Sequence, residues 1–119
     1  MFLRQVNLSE VGDTPKSDNH IGFEWTDGKS KVYFTAVWHG KALSCHVGVK
    51  DRASKLALRK AIIQFTSEMF KFYEPEFIFA AVGSKSVENL LVKLGFYSFA
   101  KPKGDKMSIN LMRLDRWDL

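Results

Sequence analysis

Of 119 residues, one is cysteine, Cys45, three are proline and three are histidine. A single cysteine excludes an internal disulfide framework, and no cysteine pair or cluster suggests a structural zinc site. No apolar run approaches the roughly 20 residues that cross a bilayer. The N-terminal "MFLRQVNLSEVGD" has an apolar start but no sustained apolar core, so it does not read as a signal peptide. Internal repeats, low-complexity tracts and linkers are lacking too. These absences leave the expectation of a soluble protein of a reducing cytoplasm, folded as one domain over residues 1–119 around a single core.

What is present supports that expectation. The chain is 45% hydrophobic and 26% charged, the composition of a folded domain rather than a disordered one. Ten phenylalanines suggest a core built on aromatics. A formal charge of +5 favours an anionic partner: a phosphate-bearing cofactor, a nucleic acid or an acidic protein surface. Nucleic acid has charge alone behind it, because there is no base-reading motif and no Lys/Arg stripe interleaved with aromatics.

Along the chain the apolar pattern changes period. "MFLRQVNL" reads as a short strand with Phe2 and Val6 inward, and "SEVGDTPKSDNH", dense in turn formers, as a loop. Three strand-like runs follow: "IGFEWT", "KVYFTAVW" and "ALSCHVGV". Asp27-Gly28 signals a two-residue type I′ turn between the first two, and His39-Gly40 marks the next turn. Alternation puts Leu43, Cys45, Val47 and Val49 on one face of the third run, with Ser44, His46 and Gly48 on the other.

Residues 51–73 switch to helical spacing. Ala53, Leu56, Ala57, Ala61, Ile62, Phe65, Met69 and Phe72 form the stripe, Asp51 is the expected N-cap and Pro75 the stop. "EFIFAAV" reads as a strand buried on both faces. "KSVENLLVKL" is a shorter helix closed by Gly95, and "FYSFAK" and "SINLMRL" form a last hairpin around "PKGDK". This order gives an α+β fold: a mixed, mostly antiparallel central sheet with two main helices packed against it. The strands flanking the first helix should be parallel, joined by a right-handed crossover.

The stretch "VGVKDRASKLALRKAI", residues 47–62, carries Lys50, Arg52, Lys55, Arg59 and Lys60 across a strand-to-helix junction. Either this charge is a solvated helix face or an anion sits there, since the free N–H groups of a helix N-terminus bind phosphate oxygens. Strand, cationic turn, long helix, strand, then a short helix ending in "KLGF" resembles the acetyl-CoA-dependent N-acetyltransferases of the Gcn5-related superfamily. Their pyrophosphate loop reads Gln/Arg-x-x-Gly-x-Gly/Ala. Arg52-Ala53-Ser54-Lys55-Leu56-Ala57 matches its first and last positions, with Lys55 in place of the central glycine. A second family segment is matched by Ser84, Val87, Leu90, Leu91, Lys93, Leu94, Gly95 and Phe96. Ser84 stands where the family has asparagine, and Leu91 where many members have a tyrosine that acts as general acid.

The resemblance covers residues 41–99 and implies the acyl-CoA N-acyltransferase fold, with acetyl-CoA or CoA as cofactor. It implies a cofactor site made by Val47, Val49, Arg52, Ala53, Ser54, Lys55, Leu56, Ala57 and Ser84, with Lys50, Arg59, Lys60 and Lys85 adding charge. The strand before the loop would part from its neighbour and pair with the pantetheine arm. Tyr97 would replace the missing tyrosine.

For a general base, the residues offer Glu24, His39, His46 and Glu76. His46, on the cofactor strand and with a pKa close to working pH, is the best placed; the plainer reading is a histidine on a half-exposed strand. His39 reads as a turn residue and Glu24 as a surface position. Cys45 is a weak nucleophile candidate beside the plainer reading of a buried, inert thiol. Trp25, Trp38 and Trp117 are either a binding surface or, for the first two, core or sheet-edge packing.

The family's two helices between its first and second strands have no room here, because only residues 9–19 are available. The acceptor site is then built differently, supplied by a second subunit of a homodimer, or absent. Two functions follow: an N-acetyltransferase acting on an unknown amine, or a catalytically inactive relative, of phage or mobile-element type, that binds a protein or nucleic acid.

Overall fold

The computed structural model describes residues 2–11, 19–49, 54–82, 85–100 and 110–115. Seven strands and two helices follow in the order β1 (Phe2–Val6), β2 (Ile21–Thr26), β3 (Lys31–His39), β4 (Ala42–Val49), α1 (Lys55–Tyr73), β5 (Phe77–Val82), α2 (Lys85–Lys93), β6 (Tyr97–Ala100) and β7 (Asn110–Asp115), with a 3-10 turn at Leu8–Glu10. The strands form one sheet ordered β1-β2-β3-β4-β5-β7-β6. Every pairing is antiparallel except β4 with β5, the two strands that flank α1. The sheet is therefore mixed and mostly antiparallel, as the element order predicts.

Both helices pack on one face of the sheet. That face carries Phe23, Trp25, Phe34, Ala36, Cys45, Ile78, Met112 and Leu114, buried against Ala61, Ile62, Phe65 and Met69 of α1 and Leu91 of α2. Phe65 stacks on Phe34 with ring centroids 4.1 Å apart and meets Phe23 edge-on at 5.6 Å. Such pairs add about 0.5–1.5 kcal/mol to the burial of their area. Trp25, fully buried, satisfies its indole N–H by donating to Gln64 Oε1 at 3.0 Å. The aromatic core implied by ten phenylalanines is real, and Trp25 belongs to it rather than to a binding surface.

Several local details differ from expectation. The N-cap of α1 is Ser54, whose Oγ accepts from the Ala57 amide at 3.1 Å, so the helix begins at Lys55 and not at residue 51. "DRAS" contains two good capping residues, and spacing alone does not choose between them. Leu56 and Phe72, expected in the stripe, are exposed; Phe70 takes a buried place instead. Asp27-Gly28 begins a four-residue loop, since Thr26 pairs with Lys31. The Asp27 side chain accepts from the amides of Lys29 and Ser30, which holds the loop open and keeps its carboxyl below the ordinary range. Gly40-Lys41 is the true two-residue turn, with positive φ at Gly40. β5 is not buried on both faces, because Ala81 is exposed.

The opposite face is partly covered by the segment after β1. A Cβ at Gly22 would meet Val11 Cγ2 at 3.0 Å and the Val6 carbonyl oxygen at 3.2 Å, so glycine lets this segment lie against β2. Val6, Val11 and Tyr33 make a second, small apolar cluster there. Under this cover Glu24 is buried, not a surface position. Burial alone would push its carboxyl up, but hydrogen bonds from Tyr33 and Arg4, and the charges of Arg4 and Lys31, hold it below the usual range. Tyr33 Oη donates to Glu24 Oε2 at 3.0 Å, and Arg4 Nε to Oε1 at 3.2 Å.

Candidate functional site

The site follows from one feature of the sheet. β4 and β5 pair through two positions alone, Leu43 with Ile78 and Ser44 with Phe79. Beyond Ser44 the register ends, while β4 stays paired with β3 as far as Val49 and β5 with β7 as far as Val82. The two parallel strands thus part toward their carboxyl ends. Both helices begin at that open end, α1 after β4 and α2 after β5. Ligands of open sheets bind at the carboxyl ends of parallel strands, where loops and helix N-termini converge.

A cavity of about 190 Å³ lies in the gap, lined by Cys45, His46 and Val47 of β4 and by Ala80, Ala81 and Val82 of β5. Its floor and wall come from Ile62, Phe65 and Thr66 of α1 and from Val87 and Leu91 of α2, with Phe96 beyond it. The lining is apolar, and His46 is the titratable histidine at its rim. Thr66 offers no free donor, because its hydroxyl donates to the Ile62 carbonyl at 2.8 Å. Cys45 is a buried free thiol, and burial pushes its pKa up, which makes it the inert thiol of the plainer reading.

His46 is half-buried. Burial, and then the charge of His20 nearby, lower its pKa from the ordinary histidine value, so it is neutral near pH 7. A neutral imidazole accepts protons.

At the mouth, α1 has no acidic residue in its first turn. Ser54 caps the Ala57 amide, and its carbonyl takes the Leu58 amide. The Lys55 and Leu56 amides have no partner among the described residues. Lys55, Leu56, Arg59 and Lys60 are exposed, and Ala57 is buried against the sheet. Unpaired N–H groups beside cationic side chains fit an anion. The Lys55 side chain, in the glycine position of the loop motif, lies in solvent. Lys85, at the start of α2, forms a 3.7 Å ion pair with Glu88. Arg52, Ala53, Ser84, Lys50, Trp117 and the side chain of Val49 lie outside the described residues.

Other candidates are not brought to the cleft. Tyr97 is on β6, with β7 between it and β5, and its hydroxyl donates to Asp115 Oδ2 at 2.7 Å. His39 is exposed, its ring edge-on to Phe79, and Glu76 pairs with Lys41 at 3.8 Å. Trp38 lies at the far end of β3 against Tyr73. The resemblance places "FIFAAV" across the gap from the cofactor strand, and Ala80, Ala81 and Val82 of that run do line the cavity; the share of α1, through Ile62, Phe65 and Thr66, is what the sequence did not indicate. Among the described residues no group of three or more His, Cys, Asp or Glu side chains is placed to hold a metal ion. No described helix is long and apolar enough to cross a membrane.

No protein-family model and no curated protein matches the sequence. Solved structures do match in shape. A chimera of the spermidine N-acetyltransferase SpeG from Vibrio cholerae with hSSAT superposes with a TM-score of 0.77 at 11% identity, over 97% of this chain and 96% of that one. A dodecameric spermidine N-acetyltransferase from Vibrio cholerae gives 0.68 at 11% identity, over 83% of this chain and 66% of that one. The ribosomal-protein-S5-alanine acetyltransferase from Vibrio fischeri gives 0.67 at 18% identity, over 85% and 64%. The chain has the fold of the Gcn5-related N-acetyltransferases.

Proposed function

We propose that this protein binds acetyl-CoA and transfers its acetyl group to an amine. The observation that carries the reading is the parting of β4 from β5 after Ser44, over a cavity that opens where α1 begins. In this reading the freed edge of β4, with Val47 and Val49, holds the pantetheine arm. Arg52, Ala53, Ser54, Lys55, Leu56 and Ala57 hold the pyrophosphate, helped by Ser84 ahead of α2. The cofactor supplies an acyl thioester, activated toward an amine nucleophile.

The chain's own part is mostly positioning. Main-chain N–H groups on the freed edge of β4 are suited to hydrogen-bond a thioester carbonyl oxygen, a stabilisation that grows as charge develops there. His46, neutral and at the rim, accepts the proton that the acceptor amine gives up. Tyr97 has no part in this reading, because its hydroxyl is held by Asp115 away from the cleft. The acceptor is an unknown amine of a small molecule or a protein; the names of the structural neighbours carry one of each, spermidine and an alanine of ribosomal protein S5. The reading assumes a cytoplasmic protein and admits a homodimer.

A second reading is favoured by Leu91, which is buried in the cavity wall where many members of the family use tyrosine. In it the fold has lost its chemistry and serves to bind a macromolecule. Calorimetry with acetyl-CoA separates the two, with Arg52→Glu as the control. Micromolar binding that the substitution abolishes supports the first reading and justifies an acceptor screen of polyamines and peptide N-termini. Absence of binding at millimolar cofactor overturns it in favour of the second.

A further inference from the structure

The cavity between β4 and β5 is larger than an acetyl group needs, and it does not stop at the gap. Its rim is open, since Ala81 is exposed and His46 half-buried. Its inner end is closed by Phe34, Phe65, Thr66 and Ile78, each no more than 2% exposed. Phe34 lies on β3, where it pairs with Val47. The hollow therefore runs sideways beneath β4, on the side that α1 covers. A cofactor arm paired with the freed edge of β4 lies in the plane of the sheet and passes this inner end without filling it.

Protein interiors are close-packed, with few voids larger than a water molecule, and an empty cavity destabilises in proportion to its volume. About 190 Å³ in a chain of 119 residues calls for an occupant. Small side chains keep the space open. Along the helix face of β5, Ala80 stands between Ile78 and Val82, and across the ladder it meets Met112. Cys45 and Thr66 border the hollow, where the same core elsewhere uses Phe23, Trp25 and Leu114. The occupant is apolar. A buried water needs roughly two to four polar partners, whereas the Thr66 hydroxyl gives its hydrogen to the Ile62 carbonyl and the buried Cys45 thiol is inert.

We infer that the acyl group taken from coenzyme A is a medium-length saturated chain rather than acetyl, housed in the inner end of this cavity. The inference rests on the reading above, in which the pyrophosphate sits at the start of α1. An arm running from there along β4 brings its thioester toward the closed end, where Leu43 and Ile78 pair. A chain beyond the carbonyl carbon then continues into the hollow. An apolar cavity of ~150 Å³ holds a six-carbon ring, so this one suits a chain of about six carbons. The chemistry is that of acetyl transfer. The amine nitrogen bonds to the carbonyl carbon, the carbon–sulfur bond breaks, and the sulfur keeps the electron pair and ends with the proton the amine gives up. One amide and one free coenzyme A result. Acetyl-CoA is a short analogue that the same site binds more weakly.

The test is calorimetry of the full chain with coenzyme A and a straight-chain acyl-CoA series: acetyl, butanoyl, hexanoyl and dodecanoyl. Wild type is compared with Thr66→Leu and Cys45→Leu, and NMR of the Thr66 and Ile78 methyl groups follows the same titrations. Each fully buried CH₂ is worth about a fourfold gain, so with partial burial hexanoyl-CoA binds at least ~30-fold more tightly than acetyl-CoA. The gain ends before dodecanoyl-CoA, whose chain overfills the cavity. The Thr66 and Ile78 methyls shift with hexanoyl-CoA and not with acetyl-CoA. Each leucine variant melts no lower than wild type, because it fills a void, and its hexanoyl-to-acetyl affinity ratio falls to about threefold or less. Wild-type affinities for acetyl-CoA and hexanoyl-CoA within about threefold of each other overturn the inference and leave acetyl transfer standing. A gain that continues to dodecanoyl-CoA and persists in both variants also overturns it, as the mark of unspecific apolar binding. Absence of binding by every member of the series at millimolar concentration overturns the proposed function, and the inference with it.

Discussion

Ala80→Phe tests whether the cavity is the place where a ligand enters. Ala80 is on β5, on the face that α1 covers, and lines the gap beside Val82. An apolar cavity of ~150 Å³ holds a benzene ring, so a phenyl group at position 80 takes up most of the 190 Å³ present. A phenylalanine side chain buries roughly 150–250 Å² when fully enclosed. With about 100 Å² of that gained in this open cavity, burial contributes ~2.5 kcal/mol at 25 cal/mol per Å². Misfit against Ile62 and Phe65 costs about 1–3 kcal/mol in return. The two nearly cancel, so stability should change by less than about 1.5 kcal/mol. Acetyl-CoA affinity should fall at least ~100-fold, or ~2.7 kcal/mol. Urea denaturation reads the first quantity and calorimetry the second. A variant that is folded and binds acetyl-CoA within threefold of wild type refutes the reasoning, because the arm of the cofactor then lies elsewhere.

Three further outcomes are expected. Phe65→Ala removes a ring that stacks on Phe34 and meets Phe23, and should cost about 3–5 kcal/mol in a denaturant titration; a cost under about 1.5 kcal/mol would mean that α1 does not pack on the sheet as described. Glu24→Ala removes the hydrogen bonds that Tyr33 and Arg4 give the carboxylate, and should lower stability by about 2 kcal/mol, whereas Glu24→Gln retains most of it. His46 contributes a pH term of known sign: its folded pKa lies below its unfolded value, so the unfolded chain binds the extra proton. Its stabilising term is complete above the ordinary histidine range and is lost as pH falls from about 6.5 through the folded pKa. Stability measured from pH 7.5 to 5 should therefore fall more steeply in wild type than in His46→Gln, and equal slopes would contradict the shift.

Much of the fold was legible because its signals are local. Alternation placed Leu43 and Cys45 on the helix face and His46 on the other. Gly95 closes α2 with positive φ, while the Gly95 amide bonds Val92 and the Phe96 amide bonds Leu91, the paired arrangement that a C′ glycine permits. What was not legible depends on contacts between distant segments. Glu24 obeys alternation and faces away from the helices, yet it is buried because the residues after β1 fold back over Gly22. The parting of β4 from β5 is invisible in an apolar run, since a hydrophobic pattern fixes which face is buried and not where pairing stops. The same holds for Tyr97: position after "LGF" suggested reach to the cleft, but β7 inserts between β5 and β6 and separates them.

The central claim is that the gap between β4 and β5 receives acetyl-CoA, and amide NMR of the 119-residue chain during a cofactor titration tests it most directly. The account predicts saturable shifts confined to residues 45–57 and, across the gap, to residues 80–91, with Tyr97 and Asp115 unmoved. Shifts centred on β6 and β7, or none at millimolar acetyl-CoA, would contradict it.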